Sequence, residues 1–162
     1  MSKTFAIAFG IGIACIAVAV AGIFYMQRGA HVDLESKVLK VRSIALDENA
    51  SLLAVDFRIS NGSDYPFKVR TVTVTIEDAN GGQTDGYTVS EPDTRRVFAA
   101  LPLLGPKFND SLIMNDTIPA RATWDRMIAS RFDMPVEKLD ARKRVIVKIE
   151  EVDGKIVEFA GK

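Results

Sequence analysis

The stretch VDFRISNGSDYPFKVRTVTVTIED, residues 55–78, decides the fold. In its first half Val55, Phe57 and Ile59 alternate with Asp56, Arg58 and Ser60, and Leu53 with Ala54 extend the pattern backward. Period two is the mark of a strand with one buried face. Ser60-Asn61-Gly62-Ser63-Asp64 then reads as a turn, because short polar side chains hydrogen-bond their own backbone and glycine tolerates unusual φ. From Pro66 to Asp78, Val72, Val74 and Ile76 alternate with Thr71, Thr73, Thr75 and Glu77. Phe67 and Val69 carry the opposite parity, so a bulge or bend near Arg70 is required to aim both sets at one core.

Working outward, a strand is expected from Glu35 to Leu46, with a similar phase change between Val41 and Ile44. A glycine-rich turn after Asn80 leads into a short strand around Tyr87. Near the end, Val145, Val147 and Ile149 alternate, Asp153-Gly154 signals a hairpin, and Ile156 to Phe159 form its return strand. Arg121 to Phe132 fits either a helix face through Trp124, Met127, Ile128 and Phe132, or strand parity through Ala122, Trp124, Ile128 and Phe132; it is read as strand. Two helical insertions interrupt this rhythm. Ser90-Glu91-Pro92-Asp93 supplies an N-cap, an early proline and an acid three residues on. Val97, Phe98 and Leu101 share the face that follows, and Pro102 ends it. A second short helix is expected over Pro135 to Arg142. The chain is therefore a mostly antiparallel sheet protein.

Between Phe5 and Met26 there is no charged side chain. As a helix this run would extend roughly 33 Å, enough to cross a bilayer once. The organisation expected is a short cytoplasmic tail (1–4), a transmembrane anchor (5–26), a tether (27–33) and a β-sandwich domain (34–162). Lys3 ahead of the run favours a signal-anchor, which places the C-terminal domain outside the cytoplasm, periplasmic, extracellular or lumenal. The alternative is a cleaved leader: Ala17-Val18-Ala19 and Ala19-Val20-Ala21 have the small-x-small form, although the apolar run continues past both. Cys15 follows Gly12-Ile13-Ala14, with glycine where a lipoprotein signal carries a large aliphatic residue. Ala6, Gly10 and Ala14 recur every fourth residue, a spacing that permits weak self-association but that also reflects ordinary composition.

The 21 basic and 21 acidic residues balance and, apart from Lys3, are interspersed after the anchor. This pattern gives no nucleic-acid groove and no polybasic lipid patch. Cys15 is the only cysteine, so the domain can form neither a disulfide nor a thiolate metal site. The lone His31 lies in the tether and reads as solvated. With so thin an inventory of nucleophiles and tuned bases, no catalytic residue, metal or cofactor is expected. Acidic groups cluster at Asp47-Glu48, at Asp110 with Asp116, and at Glu150-Glu151-Asp153, none with the spacing of a calcium loop. Asn49, Asn61, Asn109 and Asn115 each stand in Asn-x-Ser/Thr form, which would accept a glycan in a eukaryotic secretory lumen, or is simply turn composition.

The candidate contact surface is RRVFAALPLLGPKF, residues 95–108, where apolar groups are packed among cations. The residues named for partner contact are Arg95, Arg96, Phe98, Leu101, Leu103 and Leu104. The competing reading is that this segment caps an open end of the sandwich. Trp124 is read as core.

The stretch quoted at the outset resembles the folded late-embryogenesis-abundant proteins that carry the water-stress-and-hypersensitive-response (WHy) domain. There a strand ends in an Asn-containing turn, followed by proline and a Val/Ile-rich strand; here the parts are Ile59, Asn61, Pro66, Val69, Val72 and Val74. It also resembles the FxLYD-like immunoglobulin-type modules of bacterial envelope proteins. The resemblance covers about a third of the domain. Gly62 replaces the usual proline after Asn61, and the helical insertion from Ser90 is foreign to the pattern. Both families imply an immunoglobulin-like antiparallel β-sandwich, and neither supplies catalytic residues. The function expected is a membrane-anchored, extracytoplasmic binding or scaffolding module without catalysis, contacting the membrane and a protein partner in the envelope. The alternatives are a desiccation- or stress-protective protein and a small envelope hydrolase using carboxylates.

Overall fold

In a computed structural model of the chain, the backbone is described at residues 3–27 and 34–162 and side chains at 9–22 and 34–162. Two units result, residues 1–31 and 32–162.

The first unit holds helix α1, Lys3–Gln27. Residues 9–22 are exposed on every side. Among the described residues no helix is long and apolar enough to cross a membrane, which corrects the expected transmembrane helix over 5–26. Within the small-residue series Gly10 and Ala14 are exposed; the side chain of Ala6 and the tether residue His31 lie outside the described residues.

The second unit is a two-sheet sandwich. Its strands are β1 (Leu34–Ala45), β2 (Ser51–Asn61), β3 (Phe67–Glu77), β4 (Gln83–Asp85), β5 (Tyr87–Thr88), β6 (Thr117–Ile118), β7 (Thr123–Phe132), β8 (Arg144–Glu151) and β9 (Ile156–Gly161), with helices α2 (Glu91–Ala100) and α3 (Val136–Asp140). One sheet has the order β1-β2-β7-β5, the other β4-β3-β8-β9 with β6 paired to β3. With β4 and β5 lettered C′ and D, this is A-B-E-D facing C′-C-F-G, the strand order of immunoglobulin-type sandwiches.

The chain changes sheets at Gly86. Gly86 N donates to Val74 O at 2.8 Å on one sheet, and the next two residues pair with Arg131 and Ser130 on the other. A Cβ at Gly86 would lie 2.6 Å from the Phe132 ring, so the crossing requires glycine for close approach.

Inner-face residues of both sheets, among them Leu53, Val55, Phe57, Val72, Val74, Val145 and Val147, form the main core. Phe67 and Val69 join it together with Val72, because β3 shifts register between Val69 and Thr71 and the extra residue, Arg70, turns outward. In β1 the shift falls between Val38 and Lys40, earlier than the alternation suggested. The β8–β9 hairpin turns at Gly154, whose φ is 89°.

Strand β2 departs from its expected half-burial. Its outward residues Leu52 and Ala54 are buried with Met127 and Ala129 of β7 in a second cluster that includes Phe98 and Leu104. The helical insertion thus covers the outer face of the first sheet. It does not cap an open end, because those outward positions on β2 and β7 are themselves apolar and need cover.

Candidate functional site

The insertion begins where Ser90 caps α2: the Asp93 backbone N donates to Ser90 Oγ at 3.3 Å and Ser90 Oγ donates to the Asp93 carboxylate at 2.7 Å. Pro92 sits in the first turn, where its missing N–H costs no bond. Thr94 and Phe98 form the buried face. After Leu101 the chain tightens into a 3-10 turn over Pro102–Leu104 and leaves through Gly105 at φ 72°. This tight turn puts Leu104 inward at 3% exposure and Leu103 outward at 93%.

A buried charge pair fixes the insertion to the sheet. Arg42 of β1 meets Asp56 of β2 at 2.7 Å, with their side chains 9% and 4% exposed. The same guanidinium donates to Leu104 O at 2.9 Å and Pro106 O at 2.8 Å, and lies over the rings of Phe98 and Phe108 at 4.9 and 5.5 Å. Asn109 Nδ2 donates to the other Asp56 oxygen at 2.9 Å. One planar cation thereby answers a carboxylate, two carbonyls and two aromatic faces, a task suited to arginine's fixed fork of donors.

Glu91 holds the far side. Its carboxylate accepts from Arg95 Nε at 2.7 Å and the Ser111 backbone N at 3.0 Å, and pairs with Lys107 at 3.0 Å. Burial alone pushes this carboxyl up, and the hydrogen bonds from Ser111, Lys107 and Arg95 outweigh it, bringing it down to about 2.

The six residues named for partner contact therefore divide. Phe98 and Leu104 are buried against the sheet, Leu101 is half-buried, and Leu103, Arg95 and Arg96 are exposed. Arg95 pairs with Glu91 and Asp110, and Arg96 with Asp93 at 3.0 Å. Sequence reasoning missed Arg42 and Asp56. The available signal was an acid at the centre of the outward face of β2, preceded on that face by Leu52 and Ala54.

Beside the insertion lies a cleft of about 400 Å³ between β3, the start of α2 and residues 112–114. Val72, Val89, Pro92, Leu112 and Met114 give it an apolar lining, and Arg70 stands among the lining residues. Ile113 and Met114 are 47% and 66% exposed. Arg70 Nη1 meets Glu150 at 3.2 Å in an exposed pair. None of these residues was singled out as a site, since three segments far apart in the chain compose the cleft.

Other motifs find structural places. Asn61 is 1% exposed; its Nδ2 donates to Tyr65 O and Pro119 O, and its Oδ1 accepts from Ser63. With its amide nitrogen turned to carbonyls it cannot carry a glycan in this fold, and Asn109 is likewise tied to Asp56. Asn49 and Asn115 are exposed. Trp124 packs half-buried against the main core with Arg126 over its ring at 4.1 Å. Of the acidic groups, Asp110 pairs with Lys107 and Arg95, and Asp116 accepts from the Ile113 backbone N. Burial pushes the Glu151 carboxyl up, and Asp153 adds to the shift. Among the described residues no group of three or more His, Cys, Asp or Glu side chains could hold a metal ion.

Together these features define a β-sandwich domain bearing a clamped helical insertion. No protein-family model and no curated protein matches the chain. Among solved structures it is similar to a Northeast Structural Genomics Consortium target, at 15% identity and a TM-score of 0.33, over 82% of this chain and 81% of that one. It is also similar to an uncharacterized β-sandwich protein from Clostridium difficile 630, at 12% identity and a TM-score of 0.42, over 80% of this chain and 85% of that one.

Proposed function

We propose that this chain is a binding or scaffolding module that performs no bond chemistry and meets a protein partner through the outward side of its helical insertion. The observation that carries the reading is Leu103, 93% exposed at the tip of a turn whose next residue is anchored by Arg42. A large apolar side chain held outward on a rigid mount, with Arg96 and the 62%-exposed Phe108 in the same insertion, is the arrangement from which interface anchors are built. Support for the absence of catalysis comes from the charges: Glu91, Asp56, Arg42 and Lys107 are engaged in ion pairs that hold the insertion in place.

The apolar run behind Lys3 supports export of residues 34–162 from the cytoplasm, which protease accessibility in intact cells would test. For the partner, a photo-crosslinking residue at position 103 of the full chain, expressed in its native cells, should trap a discrete adduct. The same residue at the exposed Glu158, on the opposite sheet, should not. Equal labelling at both positions, or none at 103, contradicts the proposal.

A further inference from the structure

Beyond that reading, we propose that the cleft between β3, the start of α2 and residues 112–114 binds a small amphipathic anion, an apolar body carrying one carboxylate, with Arg70 as its charge partner. Size and lining set the class. A space of about 400 Å³ lies within the range of small-molecule sites, which are mostly apolar with a few placed polar groups. Here Val72, Val89, Pro92, Leu112 and Met114 supply the apolar wall.

The charge at this cleft sets the sign of the ligand. Two ionised side chains line it, Arg70 and Glu91, and they differ in what they have left to offer. Both Glu91 oxygens are engaged, by Arg95, Lys107 and the Ser111 backbone N, so this carboxylate is already neutralised. Arg70 is the extra residue at the β3 register shift, which takes it out of the strand's inward alternation. Its Nη1 donates to Glu150 at 3.2 Å, with the Arg70 side chain 59% exposed. A guanidinium has five N–H donors in a planar fork, so it can take a ligand carboxylate alongside Glu150. The guanidinium donors that Glu150 leaves unused are what a carboxylate can take, and the wall beside them is for hydrocarbon.

The test titrates the full-length chain with octanoate and, separately, with the uncharged octanol, following the methionine methyls and backbone amides by NMR. Octanoate should shift the Met114 methyl and amides of residues 70–72 and 88–91 saturably. Arg70→Gln should weaken octanoate about tenfold, the scale of one charge-assisted contact, while leaving octanol unchanged, and Arg70→Lys should retain part of the preference. The proposal is overturned by any of three results: no saturable shift at millimolar octanoate, shifts confined to residues 9–22 of the exposed apolar helix, or octanoate affinity indifferent to Arg70→Gln in a variant whose melting temperature is unchanged.

Discussion

Phe98 and Leu103 stand five positions apart on one insertion and have opposite roles. Phe98 is 8% exposed in the cluster with Leu52 and Met127, so Phe98→Asp removes a ring and buries a charge; we expect a loss of about 3–5 kcal/mol in urea unfolding. Leu103→Asp alters a solvated side chain and should stay within about 1 kcal/mol. Equal effects would mean that the insertion does not seat as described. Glu91 makes a separate prediction in pH. Its folded carboxyl sits at about 2, below the ordinary 4.5. A lowered carboxyl contributes stability that is present above the unfolded value and fades as pH falls through the folded one. Stability should therefore decline between about pH 5 and pH 2 in the wild type, with a shallower slope in Glu91→Gln; parallel profiles would remove Glu91 as the source.

At the scale of elements, local pattern and tertiary demand separate cleanly. The strand at Thr123–Phe132, the cap at Ser90, the β3 bulge at Arg70 and the hairpin at Gly154 were all legible, because each rests on neighbours in sequence. The two-sided burial of β2 was not. Alternation shows which side chains share a face, but an outward Leu52 and Ala54 look the same whether solvent or a helix lies over them. The bulge in β1 was misplaced for a related reason, since mixed polar and apolar residues on an edge strand leave its phase weakly marked. Gly86 carries no signal of its own in the sequence, yet it is where the chain crosses between sheets. Gly86→Ala would place a methyl 2.6 Å from the Phe132 ring, and calorimetry should show a loss of about 1–3 kcal/mol, as for other overpacked sites. An unchanged melting temperature would mean that the crossing has slack.

For the molecule as a whole, the sequence disclosed a disulfide-free antiparallel sheet protein, while pairing order and the candidate sites came only from three dimensions. Arg42 and Pro106 are separated by 64 positions, and the cleft draws on segments around residues 71, 90 and 113; no spacing rule reaches across such intervals. The partner-contact segment was found as a patch, but its division into buried anchors and exposed tip depends on Arg42, which the strand pattern marks only as a polar residue. In the resulting account, the sandwich carries on its outer face an insertion that one buried guanidinium holds in place. Hydrogen exchange across residues 94–101 tests that account most directly. In the wild type the amides of residues 94–101, hydrogen-bonded within the helix and its C-cap, should be protected to the same degree as those of β2 and β7. In Arg42→Ala, which strands Asp56 without its cation, residues 94–101 should exchange at least tenfold faster, about 1.4 kcal/mol or more of lost protection, while β3 and β8 hold theirs. Rapid exchange of residues 94–101 in the wild type, or a uniform loss of protection across both sheets in the variant, would contradict it.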